Sequence, residues 1–161
     1  MIDRAYEPPD QHWNERVRTS FSKQGAMQFL GATIAELQPG TCTIVLPFRS
    51  ELAQQHGYFH AGMTSAIADT AGGYAALTLF PAASEVLTVE FKVNLIAPAQ
   101  IGTLVAEASV VRSGRTLTIC TVDVCVERET SAVRAHAADA HPHRPKVVRA
   151  RRALRATPPA R

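Results

Sequence analysis

The chain of 161 residues has few of the groups that build metal sites or disulfide frameworks. Its three cysteines include no pair with metal-ligand spacing, and their odd number argues against a disulfide framework. None of the six histidines forms a His-x-x-x-His pair on a predicted helix, so we expect neither a metal nor another cofactor. Because free cysteine packs like a small hydrophobic residue, we predict that Cys42, Cys120 and Cys125 only pack.

Long apolar runs are also absent. The longest weakly polar stretch, residues 61–83, contains Asp69, glycines and hydroxyl groups, and it therefore predicts a buried helix and no membrane span. The first ten residues carry acids and prolines where a secretory signal needs a basic start and an apolar run. We therefore expect a cytoplasmic protein that does not associate with membranes.

Outside the last twenty residues the chain has no excess of positive charge, although its net charge is +3. Residues 142–161 hold seven basic residues and no acid, which leaves ten basic against fourteen acidic residues elsewhere. We predict that this basic tail is disordered and solvated. Because the rest of the chain has no basic stripe interleaved with aromatic residues, nucleic acid is not an expected partner.

Hydrophobic periodicity divides the chain into an N-terminal segment, residues 1–30, and one domain, residues 31–141. The segment carries a predicted amphipathic helix over residues 10–29, with Asp10 as its N-cap. A long apolar helix is predicted over residues 63–80, closed by Pro81. Alternating residues predict strands over residues 31–37, 41–48, 87–95, 103–112, 116–127 and 132–140.

This order of elements predicts an α+β fold. The apolar faces of the strands need a cover, and the central helix is the only large candidate, so we expect an antiparallel sheet wrapped around it. In residues 87–95 the odd-numbered residues are all apolar and should share the face toward that helix. The other face of the sheet has fewer covers, which favours pairing with a second copy of the chain.

Two features with chemical potential converge between residues 54 and 69. A loop containing His56 and His60 leads into the start of the central helix, where free backbone N–H groups can bind a developing negative charge. Asp69 then lies in an otherwise apolar helix, where a carboxylate is costly unless it is paired or used. A buried aspartate that nearby donors satisfy is the alternative interpretation.

Residues 60–69, His-Ala-Gly-Met-Thr-Ser-Ala-Ile-Ala-Asp, resemble the His-Gly-Gly-…-Asp signature of the PaaI-like (phenylacetate-pathway-type) acyl-CoA thioesterases. The similarity continues through residues 88–99, 110–117 and 122–124, and it covers residues 31–140 in matching order. It implies the hotdog fold, hydrolysis of acyl-CoA thioesters, and a homodimer that can pair again into a tetramer. It also implies an active site between two subunits.

The resemblance assigns expected catalytic roles. Asp69 matches the carboxylate that acts as general base on water or as nucleophile. The backbone N–H of Ala61, where the family has glycine, matches the donor that polarises the thioester carbonyl. His60 matches a histidine that helps position water or the thioester, and Gln54 matches a supporting Asn or Gln. Thr88 falls where a Ser or Thr orients the water, reaching across from the partner subunit.

Expected substrate contacts come from four further residues: Gly62, Tyr58, Arg112 and Arg115. The two arginines flank Gly114 in a loop where the family often places groups near the nucleotide end of coenzyme A, and Arg suits phosphate recognition. Two solvated loop arginines are an equally good interpretation.

Two other functions stay open. A hydratase or dehydratase of the same fold pairs a histidine with a carboxylate at other spacings, and here Tyr74 stands fourteen residues beyond His60. A non-catalytic acyl-CoA sensor whose basic tail associates with nucleic acid is the second alternative. Regulators of this fold carry a DNA-binding domain ahead of it, whereas about 30 residues precede the first predicted strand.

Overall fold

The computed structural model describes residues 6–127 and the backbone of residues 146–157. Two short helices come first, α1 Trp13–Ser22 and α2 Gly25–Leu30. Strands β1 Thr33–Gln38 and β2 Thr41–Pro47 lead through a short 3-10 turn to the long helix α3 Ala61–Leu77. The remaining strands are β3 Glu85–Leu95, β4 Thr103–Ser113, β5 Thr118–Glu127 and β6 Lys146–Thr157.

The described strands form one sheet in the order β1-β2-β4-β5-β6-β3, and each pair of neighbours is antiparallel. Helix α3 packs on β2, β3, β4 and β5. The predicted arrangement of an antiparallel sheet around one central helix is therefore confirmed. Strand β3 is an edge strand of this described sheet.

The core lies between α3 and the sheet. Alternate residues of β2 are buried, as the period of two predicts, and the largest side chains without solvent exposure include Ile44, Ile67, Leu104 and Val122. Each such aliphatic side chain contributes about 1.5–3 kcal/mol on burial. Residues 70–77 of α3 are buried on every side, so the second half of the helix packs within the core.

The three cysteines belong to the buried part of the structure. Burial raises the pKa of the Cys42 thiol to about 12. A thiol that holds its proton so firmly is a poor nucleophile at neutral pH, so this residue packs, as predicted.

A β-bulge in β3 turns the side chains in the first half of the strand to the face opposite to the one predicted. The pairing register shifts between Thr88 and Glu90. Thr88 therefore points to the same side as Phe91, toward α3, while Leu87 and Val89 are exposed. The prediction that all odd-numbered residues share one face is wrong because the bulge inserts one residue and the alternation restarts behind it.

The predicted helix over residues 10–29 is two helices, because the chain turns at Lys23 and Gln24. Asp10 is not the N-cap of α1, since His12 occupies that position. The Asp10 carboxylate instead accepts a hydrogen bond from the His12 amide at 2.9 Å and pairs with Arg16 Nε at 2.7 Å.

Arg16 fastens this N-terminal segment to the end of α3. Its Nη2 donates to the Leu77 carbonyl at 3.2 Å and to the Phe80 carbonyl at 2.8 Å. A cation at the C-terminal end of a helix compensates both the unpaired carbonyls and the negative end of the helix dipole. Asp10 in turn balances the guanidinium charge.

Residues 146–157 form β6, which pairs with β5 and β3. The prediction of a disordered tail over residues 142–161 is therefore wrong for these residues, and β6 belongs to the same sheet as the other strands. Valine, alanine and leucine residues between the arginines give the segment the composition of a strand, although its charge is typical of a solvated tail. The predicted strand over residues 132–140 lies outside the described residues.

The Asp10–Arg16 pair predicts an acid-sensitive contribution to stability. The hydrogen bond from Arg16, and next that from the His12 amide, lowers the pKa of the Asp10 carboxyl. The contribution is therefore complete above the ordinary carboxyl pKa of about 3.9 and is lost as the pH falls through the lowered value. Asp10→Asn should lower Tm by several degrees at pH 7, and its difference from the wild type should shrink below pH ~4.

Thermal unfolding between pH 7 and pH 3 measures this difference. Glu15→Gln, which removes an exposed acid from the first turn of α1, is the control for the loss of one negative charge near Arg16 and should lower Tm less than Asp10→Asn does at pH 7. A Tm difference for Asp10→Asn that stays constant over the whole range would show that the ionised pair contributes nothing.

Candidate active site

The loop before α3 is held in a compact turn by its own backbone. Gln54 N–H donates to the Tyr58 carbonyl at 2.8 Å, and Gly57 N–H donates to the Gln54 carbonyl at 3.0 Å. Gly57 has φ +80°, a left-handed conformation that glycine adopts without strain. The side-chain Oε1 of Gln54 accepts from the His56 amide at 2.6 Å, which fixes the orientation of the Gln54 amide group.

Two further hydrogen bonds dock the loop on the rest of the domain. Phe59 N–H donates to the Ala99 carbonyl and His60 N–H to the Leu52 carbonyl, both at 2.9 Å. The Phe59 ring is buried and packs edge-to-face on Phe48, with ring centroids 5.0 Å apart. The start of α3 is therefore placed by backbone contacts on both sides and by an aromatic anchor.

The first turn of α3 leaves one backbone donor available. His60 is the N-cap, and its Nδ1 accepts from the Gly62 amide at 2.9 Å, while the Met63 amide donates to the His60 carbonyl at 2.8 Å. Within the described residues, the exposed Ala61 amide has no hydrogen-bonded acceptor. Ala61 lies in a right-handed helix with negative φ, so alanine fits where the resembling family has glycine.

A cavity of about 400 Å³ lies beside this helix start. It brings together three of the predicted site residues, Gln54, Tyr58 and Ala61. Thr64 and residues 95–99 complete much of its wall, and sequence reasoning did not select them. The sequence does hold a signal for residues 95–99, because the apolar run Leu95-Ile96-Ala97-Pro98 continues beyond the alternating part of the strand.

Asp69 lies outside this cavity, next to Thr88. Thr88 Oγ1 donates to Asp69 Oδ1 at 3.3 Å, and both residues are half-buried. The contact forms within one chain because the bulge at Val89 turns Thr88 toward α3. The expectation that Thr88 reaches across from a partner subunit stays a prediction.

Eight residues of helix separate the Ala61 amide from Asp69. At 1.5 Å per residue, this places them about 12 Å apart along the axis of α3. A single thioester carbonyl cannot contact both groups of one chain at hydrogen-bond distance. Within one chain, the Ala61 amide and the Asp69 carboxylate therefore lie at two separate positions along α3.

The predicted nucleotide-binding arginines lie in the hairpin between β4 and β5. Arg112 and Arg115 are both exposed, and neither lines the cavity beside Ala61. Among the described residues, no group of His, Cys, Asp and Glu is arranged to hold a metal ion.

A larger cavity of about 780 Å³ lies elsewhere, between α1 and the C-terminal end of α3. Asp10, Arg16 and Tyr74 are among its lining residues, and neither Ala61 nor Asp69 is one of them. Asp10 and Arg16 already serve to fasten α1 to α3. The smaller cavity, which Ala61 lines, is therefore the candidate active site.

Comparisons with known proteins agree with this fold. Residues 56–133 match the model of the thioesterase superfamily. The chain is 30% identical over 120 residues to a candidate esterase of Halobacterium salinarum, a match that spans 71% of this chain and 79% of the relative. A crystal structure of a thioesterase family protein from Silicibacter pomeroyi is 36% identical with a TM-score of 0.81, over 91% of this chain and 99% of that one.

The PaaI protein of the E. coli phenylacetic acid degradation operon has the same fold, with a TM-score of 0.72 at 16% identity over 89% of this chain and 91% of that one. The predicted hotdog fold and the predicted class, a hydrolase of thioesters, are confirmed. The chain belongs to the thioesterase superfamily. No helix among the described residues is long and apolar enough to cross a membrane.

The contact between Thr88 and Asp69 predicts that the Thr88 hydroxyl supports catalysis. Thr88→Val keeps the shape of the side chain but removes the donor, and a hydrogen bond to a charged group contributes about 1.5–3 kcal/mol. Thioester hydrolysis should therefore fall about 10- to 100-fold in kcat, with little change in Tm. Thr88→Ser, which keeps the hydroxyl, should retain most of the activity; equal rates for Thr88→Val and wild type would exclude the role.

Proposed function

We propose that this protein hydrolyses acyl-coenzyme A thioesters to the free acid and coenzyme A, at a site formed between two copies of the chain. The observation that carries the proposal is the separation of two complementary half-sites. In one half-site the Ala61 amide, which has no hydrogen-bonded acceptor among the described residues, belongs to a residue that lines the cavity. In the other, a carboxylate with a hydroxyl partner lies about 12 Å away along the same helix. A second copy supplies the half that each cavity lacks.

In the proposed reaction the Ala61 N–H donates to the thioester carbonyl oxygen. Negative charge grows on that oxygen when the carbonyl carbon is attacked, and a positioned donor stabilises it. Asp69 of the other copy takes a proton from water, whose oxygen adds to the carbonyl carbon; the carbon–sulfur bond then breaks, and the coenzyme A thiolate takes up that proton. In the alternative route Asp69 attacks the carbonyl carbon itself and the carbon–sulfur bond breaks, which leaves a mixed anhydride on Asp69. A water then hydrolyses this anhydride, gives one proton to the thiolate, and releases the free acid and the Asp69 carboxylate; neither route needs a cofactor.

The remaining predicted residues fit supporting roles. Gln54 lines the cavity with its Oε1 already hydrogen-bonded, which leaves its NH2 group as a donor. Tyr58 and residues 95–99 would contact the apolar part of the acyl-CoA. We assign Arg112 and Arg115 to the phosphates of coenzyme A, because both side chains are exposed and cationic.

An exposed apolar stripe supports the pairing of two copies. Leu87, Val89, Leu95 and Ile96 all have more than half of their surface exposed, and they lie on or next to the edge strand β3. An exposed apolar edge strand is prone to pair with another chain. We propose a homodimer that joins along this edge and can pair again into a tetramer, working in the cytoplasm.

Removing each half-site separately tests the proposed chemistry. Asp69→Ala should lower hydrolysis by several orders of magnitude and leave folding and dimerisation intact. Ala61→Pro deletes only the N–H, because proline is well accommodated at the first helical position and the extended backbone of His60 suits a residue before proline. Its kcat should fall about 10²- to 10³-fold.

A free-thiol assay on acetyl-, hexanoyl- and benzoyl-CoA measures these rates, and circular dichroism checks the fold. Near-wild-type turnover by Asp69→Ala on every substrate that the wild type cleaves would exclude the carboxylate from the reaction. Binding of acyl-CoA without turnover by the wild type would instead favour the non-catalytic sensor.

Mixed dimers test whether the site is shared. In a dimer of one Asp69→Ala chain and one Ala61→Pro chain, one of the two sites combines the intact half of each chain. Random mixing by co-refolding or co-expression should therefore restore about a quarter of the wild-type activity, although each variant alone is nearly inactive. A mixture no more active than its separate components would show that each chain holds a complete site.

A further inference from the structure

We infer that His60 is a positioning residue, which acts by capping α3 and thereby orienting the Ala61 amide, without transferring a proton or touching the reacting atoms. The inference rests on the proposed function and assigns a different role to His60 than direct contact with water or the thioester. Its first support is the hydrogen bond from the Gly62 amide to His60 Nδ1, at 2.9 Å. An imidazole that accepts at Nδ1 is neutral and carries its proton on Nε2.

Gly62 supplies the second, independent support. A Cβ atom at this position would lie 2.9 Å from His60 Nδ1 and 3.3 Å from His60 Cε1, too close for the imidazole to stay in place. Gly62 lies inside a regular helix, where glycine is a poor helix former. Glycine at position 62 therefore makes room for the cap, whereas the exposed position 61 accepts a methyl group.

The cap selects which amide is left for the substrate. His60 takes the Gly62 amide with its ring and the Met63 amide with its carbonyl, so that among the first three amides of the helix only that of Ala61 remains. His60 is itself held by Leu52 through its own N–H. Ala61 thus lies between two residues with fixed backbones, and its N–H direction depends on both.

Two variants of His60 and one control variant distinguish a positioning role from direct participation in the chemistry. His60→Ala removes the acceptor and should lower kcat at least about tenfold, with KM nearly unchanged. The loss in kcat should not exceed the 10²–10³-fold cost of losing an oxyanion donor altogether. His60→Asn keeps a side-chain acceptor that is favoured at N-caps and should recover most of the rate. His56→Ala, an exposed histidine of the same loop, is the matched control and should leave kcat unchanged.

A double-mutant cycle uses the crowding at Gly62. Gly62→Ala should displace the imidazole and reduce kcat to about the level of His60→Ala, and the double variant should be no slower than either single one. A fall in kcat of the double variant equal to the product of the two single falls would overturn the inference. A His60→Asn enzyme as slow as His60→Ala would also overturn it. If His60→Ala does not fold, the comparison of wild type, His60→Asn and Gly62→Ala decides between the same outcomes.

Failure of this inference is distinguishable from failure of the proposed function. All variants are assayed with the acyl-CoA that the wild type hydrolyses fastest, and Asp69→Ala is included. An inactive Asp69→Ala together with an inactive, folded His60→Asn leaves the proposed hydrolysis standing and assigns direct chemistry to the imidazole. An Asp69→Ala variant as active as the wild type removes the proposed function itself.

Discussion

The backbone N–H of Ala61 is the group on which the proposed active site depends. A helix cannot satisfy its own first amides, and here the His60 cap satisfies those of Gly62 and Met63, while that of Ala61, a residue lining the cavity, has no hydrogen-bonded acceptor among the described residues. The preceding loop is docked by backbone hydrogen bonds to Leu52 and Ala99, so the donor has a fixed direction. Preorganised donors of this kind stabilise developing charge without reorganising during the reaction.

Helix α3 divides its length between this function and stability. Its first half carries the outward-facing amide and the half-buried Asp69, whereas residues 70–77 are buried on every side. Arg16 binds carbonyls at the end of the buried half and fixes the helix against the N-terminal segment. The helix is also a spacer of about 12 Å between Ala61 and Asp69, and this distance is the reason why a second copy is required in the proposed site.

Local patterns in the sequence predicted most of this fold, because strands such as β2 bury alternate residues. The strands predicted over residues 41–48 and 103–112 are confirmed as β2 and β4. The loop that contains glycine and histidine correctly indicated the start of α3. The bulge in β3 was not predictable from alternation, since Leu87 and Val89 continue the apolar pattern onto the exposed side. The contact of Thr88 with Asp69 follows from that bulge and was missed for the same reason.

Charge was a poorer guide than alternation. The basic composition of residues 142–161 predicted a solvated tail, whereas the backbone of residues 146–157 pairs with two strands of the sheet. Pairing on both sides satisfies the backbone of such a segment whatever the net charge of its side chains. The expectation of a site between two subunits came from the resemblance of residues 60–69 and not from local patterns, because the distance between Ala61 and Asp69 depends on the length of helix between them.

A crystal structure with a non-hydrolysable acyl-CoA analogue, in which a ketone replaces the thioester, tests the central claim most directly. The ketone oxygen should lie about 3 Å from the Ala61 nitrogen of one chain. The ketone carbon should face Asp69 of the other chain. A ketone bound away from the start of α3, or one whose oxygen and carbon meet Ala61 and Asp69 of the same chain, would contradict the account.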